Sequence, residues 1–217
     1  MVVHRSSDKP ISLLDMFGVA IKAIDANQRH VGMLYKTNSE VRLCHLAFHL
    51  DLRDEPARMS YSWAEAGLDE FNRRFLAAEC ARMAAGANKI PYGLAEQGIS
   101  FDRTTGRYIP HRAGRGLTCA TFISAFLKAF GFPLLQEDTW PTRDDDTEWQ
   151  RAIIERVQAA GASEEHIAGM MTDLGARRYR PEGVAGAVTR SKYPVTFTVA
   201  SELAAEILAI LYEPTST

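Results

Sequence analysis

Cys119, His30 and His45 are the side chains of this chain whose types and surroundings suit nucleophilic chemistry. A glycine-containing, basic loop over residues 115–117 leads into Thr118, which is predicted to cap a helix, so Cys119 falls in its first turn. Backbone N–H groups at a helix start are unpaired, and the helix dipole favours an anion there. We therefore expect a lowered pKa for the Cys119 thiol, which would make it a nucleophile.

Packing is the alternative interpretation for every cysteine, because cysteine is among the most frequently buried residue types. Cys80 lies in the middle of a predicted helix and Cys44 lies in an apolar strand, so both are expected to be packing residues. Cys119 differs from them because a loop leads into it and a helix starts there. An odd number of cysteines without framework spacing favours a reducing compartment.

The histidines are expected on two adjacent strands. Residues 30–36 and 41–50 are predicted as strands that form a hairpin around a turn at residues 37–40. His30 then opens the first strand, and His45 lies within the second. Taken singly, each histidine is more simply a strand or surface residue, but two of them beside a helix-start cysteine suggest a site.

Alternation along the second strand places His45 and His49 on one face and Cys44 on the other. Cys44 and His45 therefore cannot serve the same site. A simple hairpin register pairs His30 with Ala47, so His30 can meet His45 only through a bulge or a diagonal contact.

The remaining pattern predicts an α+β fold. Residues 87–116, rich in glycine and proline, are expected to be irregular, and four arginines in them are either a carboxylate or phosphate site or a solvated basic loop. Those arginines are Arg103, Arg107, Arg112 and Arg115. The other predicted elements are helices at 11–24 (favoured slightly over a strand), 62–86, 118–130, 146–160, 163–174 and 201–212, and a short strand at 194–199.

Composition narrows the functional class. The chain has 217 residues and a formal net charge of −2, with a pI of about 6.3, so nothing suggests a nucleic-acid partner. Its N-terminal residues lack the pattern of a secretory signal, and charges interrupt each long apolar stretch, so we expect no membrane span and a cytoplasmic location.

Three short segments combine a histidine strand, a second polar strand and a cysteine at a helix start. They are His30-Val31-Gly32-Met33-Leu34-Tyr35, Leu43-Cys44-His45-Leu46 and Leu117-Thr118-Cys119-Ala120-Thr121-Phe122. In this order they resemble the circularly permuted branch of the NlpC-type papain-like superfamily, to which lecithin:retinol acyltransferase belongs. Residues 88–93 also look like the segment that precedes the cysteine loop in these proteins.

The resemblance covers residues 28–135 and implies a single papain-like domain over residues 1–217. Its small antiparallel sheet would pack against the cysteine-bearing helix, and residues 136–217 would form a C-terminal helical extension. It implies Cys119 as nucleophile, His30 as general base and His45 as the residue that orients His30, with His49 as an alternative orienting residue. The backbone N–H of Cys119 would supply one donor of the oxyanion hole.

The expected activity is that of a cysteine hydrolase, either a peptidase or amidase or an acyltransferase, acting through a thioester on a small peptide, amide or acyl substrate. No cofactor or metal is expected, and the oligomeric state is left open. One alternative is a papain-like scaffold that serves as a non-catalytic binding or interaction module. The other is a metal site built from His30, His45 and His49.

Overall fold

The computed structural model describes residues 3–38, 40–95 and 98–213, which form an α+β fold. Its single sheet is antiparallel, with the strand order β1-β6-β2-β3-β4-β5. The strands are β1 (His4–Arg5), β2 (Phe17–Ala23), β3 (Arg29–Lys36), β4 (Val41–Phe48), β5 (Asp51–Pro56) and β6 (Ser62–Glu65). The helices are α1 (Glu70–Ala85), α2 (Cys119–Ala129), α3 (Asp145–Ala159), α4 (Glu164–Met171), α5 (Pro181–Val188) and α6 (Phe197–Tyr212).

Both faces of the sheet carry apolar side chains, and these belong to two separate core clusters. Met33 and Cys44 belong to the large cluster that also contains the apolar side chains of α1 and α2. Leu34 and Leu43 belong to a second, smaller cluster, in which Trp63 is the largest side chain. The alternation predicted for β4 is therefore confirmed, and apolar clusters lie on both faces of the sheet.

Helix α2 begins where the sequence predicts, because a capping box of two reciprocal hydrogen bonds closes its first turn. The Thr118 hydroxyl accepts a hydrogen bond from the Thr121 backbone N–H at 3.2 Å, and the Thr121 hydroxyl accepts one from the Thr118 N–H at 2.7 Å. Such a cap contributes about 0.5–2 kcal/mol and fixes the residue at which a helix starts. Cys119 is thereby held as the first helical residue.

The helix predicted at 11–24 is wrong, and the helix predicted at 62–86 is confirmed only from Glu70 onward. Residues 17–23 form β2, a central strand covered on both faces, so its run of buried side chains lacks the polar alternation that marks a half-exposed strand. Residues 62–65 form β6, and α1 begins only at Glu70, after Asp69 accepts a hydrogen bond from the Asn72 N–H at 3.0 Å.

The helices predicted at 118–130, 146–160 and 163–174 are confirmed with small changes of boundary. The strand predicted at 194–199 is wrong apart from a bridge between Val195 and Leu135, because α6 already begins at Phe197. The sequence pattern does not predict α5, whose Gly186 packs so closely on α6 that a Cβ there would lie 2.6 Å from the Leu203 Cβ. Among the described residues, no helix is both long enough and apolar enough to cross a membrane.

Candidate active site

A cavity of about 290 Å³ opens beside the N-terminus of α2. Cys119, His30 and His45, the three residues predicted for the site, all lie in its wall. Tyr61 and Tyr92 contribute aromatic surface to the same wall. The fold therefore brings together two strand residues and one helix residue that are up to 89 positions apart in the sequence (119 − 30).

His30 and His45 meet through the diagonal contact that the sequence requires. Met33 pairs with Cys44 and Leu34 with Leu43, and the same register continued by one residue sets Gly32 opposite His45, with His30 on the diagonal. His30 Nε2 lies 2.7 Å from His45 Nδ1, and the two rings stand edge to face. A Cβ at Gly32 would approach the His45 Cβ to 2.7 Å, so glycine leaves the space that this contact needs.

Glu55 on β5 favours one arrangement of protons on the two histidine rings. Its Oε1 lies 3.5 Å from His45 Nε2, too far for a good hydrogen bond but close enough to favour a proton on that nitrogen. His45 Nδ1 is then an acceptor, and His30 Nε2–H is the donor at 2.7 Å. The lone pair of His30 is left on Nδ1, which is the arrangement that a general base needs.

Burial has the largest effect on the pKa of the Cys119 thiol, contrary to the expectation from the sequence. The Cys119 side chain is only 7% exposed, and burial raises its pKa, while the backbone N–H groups of Val31 and Ala120 act in the opposite direction. The predicted lowering of the Cys119 pKa is therefore wrong. The helix start does favour the thiolate, but desolvation is the larger effect.

The base is also uncharged at neutral pH. Burial lowers the pKa of His30 to about 3, and the charges of His45 and Lys22 add to this effect. Burial lowers the pKa of His45 as well, against the opposing charge of Glu55. The resting site thus contains a neutral thiol and a neutral imidazole rather than an ion pair. Within the described residues no hydrogen bond joins the Cys119 sulfur to either histidine ring.

Tyr92 lies near the thiol, and its backbone is held by two histidines. The Cys119 backbone N–H is close enough to the Tyr92 hydroxyl to favour its ionised form, but burial raises the Tyr92 pKa well above its ordinary value. His49 Nδ1 accepts a hydrogen bond from the Tyr92 N–H at 3.2 Å, and His166 Nε2 lies 2.8 Å from the Tyr92 carbonyl. His45, and not His49, contacts His30.

The loop before α2 packs tightly on the segment around Tyr92. The Leu117 N–H donates to the Pro91 carbonyl at 3.0 Å, and a Cβ at Gly116 would lie 2.2 Å from that carbonyl oxygen. Gly114 N–H donates to His166 Nδ1 at 3.1 Å. His166, on α4, therefore connects both loops that lead to the thiol, a role that the sequence pattern did not reveal.

The other cysteines pack in the core, as predicted. Cys44 and Cys80 are fully buried, and burial raises the pKa of Cys80 well above its usual value. All three cysteines are free thiols. In the part of the chain that the structure describes, no three His, Cys, Asp or Glu side chains are grouped to hold a metal ion.

The charged residues of the cavity are not those of the basic loop. Arg103, Arg107, Arg112 and Arg115 do not appear in the cavity wall, and Arg115 pairs with Asp173 at 3.2 Å. The wall instead contains cations from β2, β3, β5 and the segment before α5, which sequence patterns place far apart. These cations are Lys22, Arg29, Arg53 and Arg178.

Comparison with known proteins gives no relative from which a function can be transferred. The chain matches no protein-family model, no curated protein and no solved structure.

Proposed function

We propose that this protein is a cysteine hydrolase that cleaves an amide or ester through a thioester on Cys119. The observation that carries the proposal is the meeting of Cys119, His30 and His45 in one cavity wall, with His30 Nε2 bonded to His45 Nδ1 at 2.7 Å. A nucleophile, a base and a group that orients the base are the parts that acyl transfer needs.

The first half of the reaction forms the acyl-enzyme. The Cys119 sulfur attacks the substrate carbonyl carbon while His30 Nδ1 takes the thiol proton. The tetrahedral intermediate then collapses, the bond to the leaving amine or alcohol breaks, and His30 returns the proton to that group. Because thiol and imidazole both start neutral, proton transfer accompanies attack, and the two groups must approach each other when substrate binds.

The second half regenerates the thiol. Water attacks the thioester carbonyl while His30 Nδ1 takes one of its protons, and collapse expels the sulfur, which recovers the proton from His30. The carboxylic acid leaves the cavity. If an alcohol or amine replaces water, the same steps give acyl transfer.

His45 and Glu55 position the base, and Tyr92 completes the oxyanion hole. The Glu55 carboxylate keeps His45 Nδ1 as an acceptor, so the His30 ring is oriented with its lone pair on Nδ1. The backbone N–H of Cys119 donates to the oxyanion, and the Tyr92 hydroxyl is the second donor. A tyrosine whose pKa is raised stays protonated and keeps its O–H available.

A circularly permuted papain-like arrangement is part of the proposal. The hairpin of β3 and β4 that bears both histidines precedes the cysteine-bearing α2 in the chain, and α2 packs against the face of β3 and β4 that carries Met33 and Cys44. The three free cysteines are consistent with a reducing compartment, and we propose a cytoplasmic location on that ground.

A non-catalytic binding module is the second candidate. It is favoured by the raised pKa of Cys119 and by the low exposure of its side chain, since an inert buried thiol has both properties. The cavity would then bind a ligand without breaking a bond. The metal site has no such support, because His49 binds the Tyr92 backbone and not the His30–His45 pair.

Acyl-enzyme trapping separates the two candidates. The native protein is mixed with p-nitrophenyl acetate, quenched in acid, digested, and examined by mass spectrometry for acetyl-Cys119. We expect a burst of p-nitrophenol and a thioester at Cys119, both lost in Cys119→Ala and strongly reduced in His30→Gln. Cys80→Ala, which removes a thiol outside the cavity, should retain both. Acetylation that is absent, or that persists in Cys119→Ala, would support the binding module.

A further inference from the structure

The cavity around Cys119 is lined by positive charge without negative charge. Its wall contains one lysine and three arginines, and no aspartate or glutamate is among its described lining residues. The chain as a whole carries a net charge of −2, so this concentration of cations is a local property. A concave surface with one sign of charge attracts ligands of the opposite sign.

Two of the four cations are neutralised by carboxylates of their own. Arg29 forms a two-bonded pair with Glu182, with N–O distances of 3.1 and 2.7 Å. Arg53 forms a similar pair with Asp51 at 3.1 and 2.6 Å. Their charges are therefore largely compensated before any ligand arrives.

The positive charges of Lys22 and Arg178 are less fully neutralised by carboxylates. Lys22 Nζ lies 4.6 Å from the centre of the Tyr61 ring, and in the described parts of the chain no carboxylate pairs with it. Arg178 does pair with Asp146 at 3.1 Å, but that carboxylate also binds two other arginines. The Arg178 guanidinium is held 3.7 Å from the centre of the Trp149 ring and is 11% exposed, so it is ordered in advance of binding.

Both cations act electrostatically on the reacting groups, from the wall of the same cavity. The charge of Arg178 lowers the pKa of the Cys119 thiol, and the charge of Lys22 lowers the pKa of both His30 and His45. Lys22 thus opposes the imidazolium that forms at His30 during catalysis. An anion beside Lys22 would remove that opposition when the substrate is bound.

We propose that Lys22 and Arg178 form an anion subsite, so that the substrate is an amide or ester carrying a carboxylate or a phosphate close to its scissile carbonyl. The inference rests on the proposed function for the scissile bond, but the subsite itself is defined by the cavity. Apolar side chains in the same wall would contact the rest of the substrate. They are Ile24, Phe48, Trp149 and Ile153.

The test compares two alkylating reagents of nearly equal size, iodoacetate and iodoacetamide, at Cys119. Rates are measured on the full chain by mass spectrometry of the Cys119 peptide, and their ratio is divided by the same ratio for glutathione. Any change in the thiol pKa affects both rates equally and cancels in the ratio. We expect the normalised preference for iodoacetate to be about three- to tenfold, because the cavity cations attract the carboxylate of this reagent and solvent screens only part of that attraction.

Variants locate the charge that is responsible. Lys22→Met and Arg178→Gln should each lower the preference, Lys22→Glu should lower it further, and Lys22→Arg should retain it. Lys192→Met, which removes an exposed lysine outside the cavity, is the matched control and should leave it unchanged. Circular dichroism checks that each variant is folded. A normalised ratio of one in the native protein, or a preference that Lys22→Met and Lys22→Glu leave intact, would overturn the subsite.

Protection experiments distinguish the two anion chemistries. N-acetylglutamate and glycerol 3-phosphate are tested for slowing the reaction of Cys119 with iodoacetamide, and the more protective compound identifies the preferred group. Neither experiment requires turnover. Charge-selective alkylation without a Cys119 thioester would therefore reject the hydrolase and keep the subsite, whereas a thioester without charge selectivity would do the reverse.

Discussion

His30 Nε2 lies 2.7 Å from His45 Nδ1, and this contact determines where the base of the site holds its lone pair. Two ring nitrogens at this distance must include one donor and one acceptor. Because Glu55 favours a proton on His45 Nε2, His45 Nδ1 accepts and His30 Nε2 donates. His30 Nδ1 is left to receive the thiol proton, so a carboxylate on β5 controls a base on β3 through an intervening ring.

Glu55→Gln should reduce kcat about tenfold, which corresponds to roughly 1.4 kcal/mol of transition-state stabilisation. The amide keeps the shape of the side chain, but it no longer favours one His45 tautomer, so part of the population presents the wrong nitrogen of His30. KM should change little. The measurement is steady-state hydrolysis of an activated ester. Glu137→Gln, which removes a surface carboxylate paired with Lys128, is the control. An unchanged kcat in Glu55→Gln would show that Glu55 does not position the pair.

Alkylation of Cys119 should accelerate continuously as the pH rises past the ordinary thiol range. Burial raises the thiol pKa and lowers that of His30, so no thiolate–imidazolium pair supplies reactivity in acid. The rate of labelling by iodoacetamide is followed against pH by mass spectrometry. Cys44 and Cys80, which are fully buried, should label more slowly than Cys119. A reactive plateau at mildly acidic pH, abolished by His30→Gln, would instead reveal an ion pair.

The burial of His30 should make the fold sensitive to acid. Its pKa is about 3 in the folded protein and about 6.5 in the unfolded chain, so the unfolded chain binds more protons between these values. Its contribution to stability is present above pH 6.5 and is lost as the pH falls, with a limiting slope of about 1.4 kcal/mol per pH unit. Urea unfolding at several pH values measures the slope, and His30→Gln should make it shallower. Parallel curves for the two proteins would contradict this account.

The sequence predicted the parts of the site that depend on local pattern. The Thr118 cap places Cys119 in the first turn of α2. The residue register of the predicted hairpin already requires that any contact between His30 and His45 be diagonal or pass through a bulge. The sign of the Cys119 pKa shift was not predictable in this way. The effect of a helix start is local, but desolvation depends on residues such as Tyr92 that pack over the thiol only in the folded chain.

Other features of the site depend on contacts between residues that are far apart in the sequence. Glu55 approaches His45 from β5, and His166 reaches the Tyr92 carbonyl from α4, so no spacing in the sequence connects either pair. The pattern of residues 11–24 favours a helix because both faces of β2 are buried in the middle of the sheet. Burial on both sides removes the alternation from which a strand is usually identified.

Tyr92→Phe should lower kcat by about 100-fold or more if its hydroxyl donates to the oxyanion. The ring is retained, so the packing against Phe48, at 5.2 Å between ring centres, should persist and stability should change little. Ester hydrolysis and thermal unfolding are measured together. Tyr193→Phe is the control, because its hydroxyl binds the Val188 carbonyl outside the cavity. A Tyr92→Phe variant with native kcat would remove Tyr92 from the oxyanion hole.

Cys119→Ser and His30→Ala should be strongly non-additive in turnover. His30→Ala should lower kcat by about 100- to 10,000-fold, because it removes the base. Cys119→Ser should be similarly damaging, since a hydroxyl is a weaker nucleophile. When the nucleophile is already impaired, the base has little left to activate, so the double variant should be hardly worse than either single one. Independent contributions would instead multiply, and a double variant showing the product of both losses would mean that His30 does not act on the Cys119 thiol.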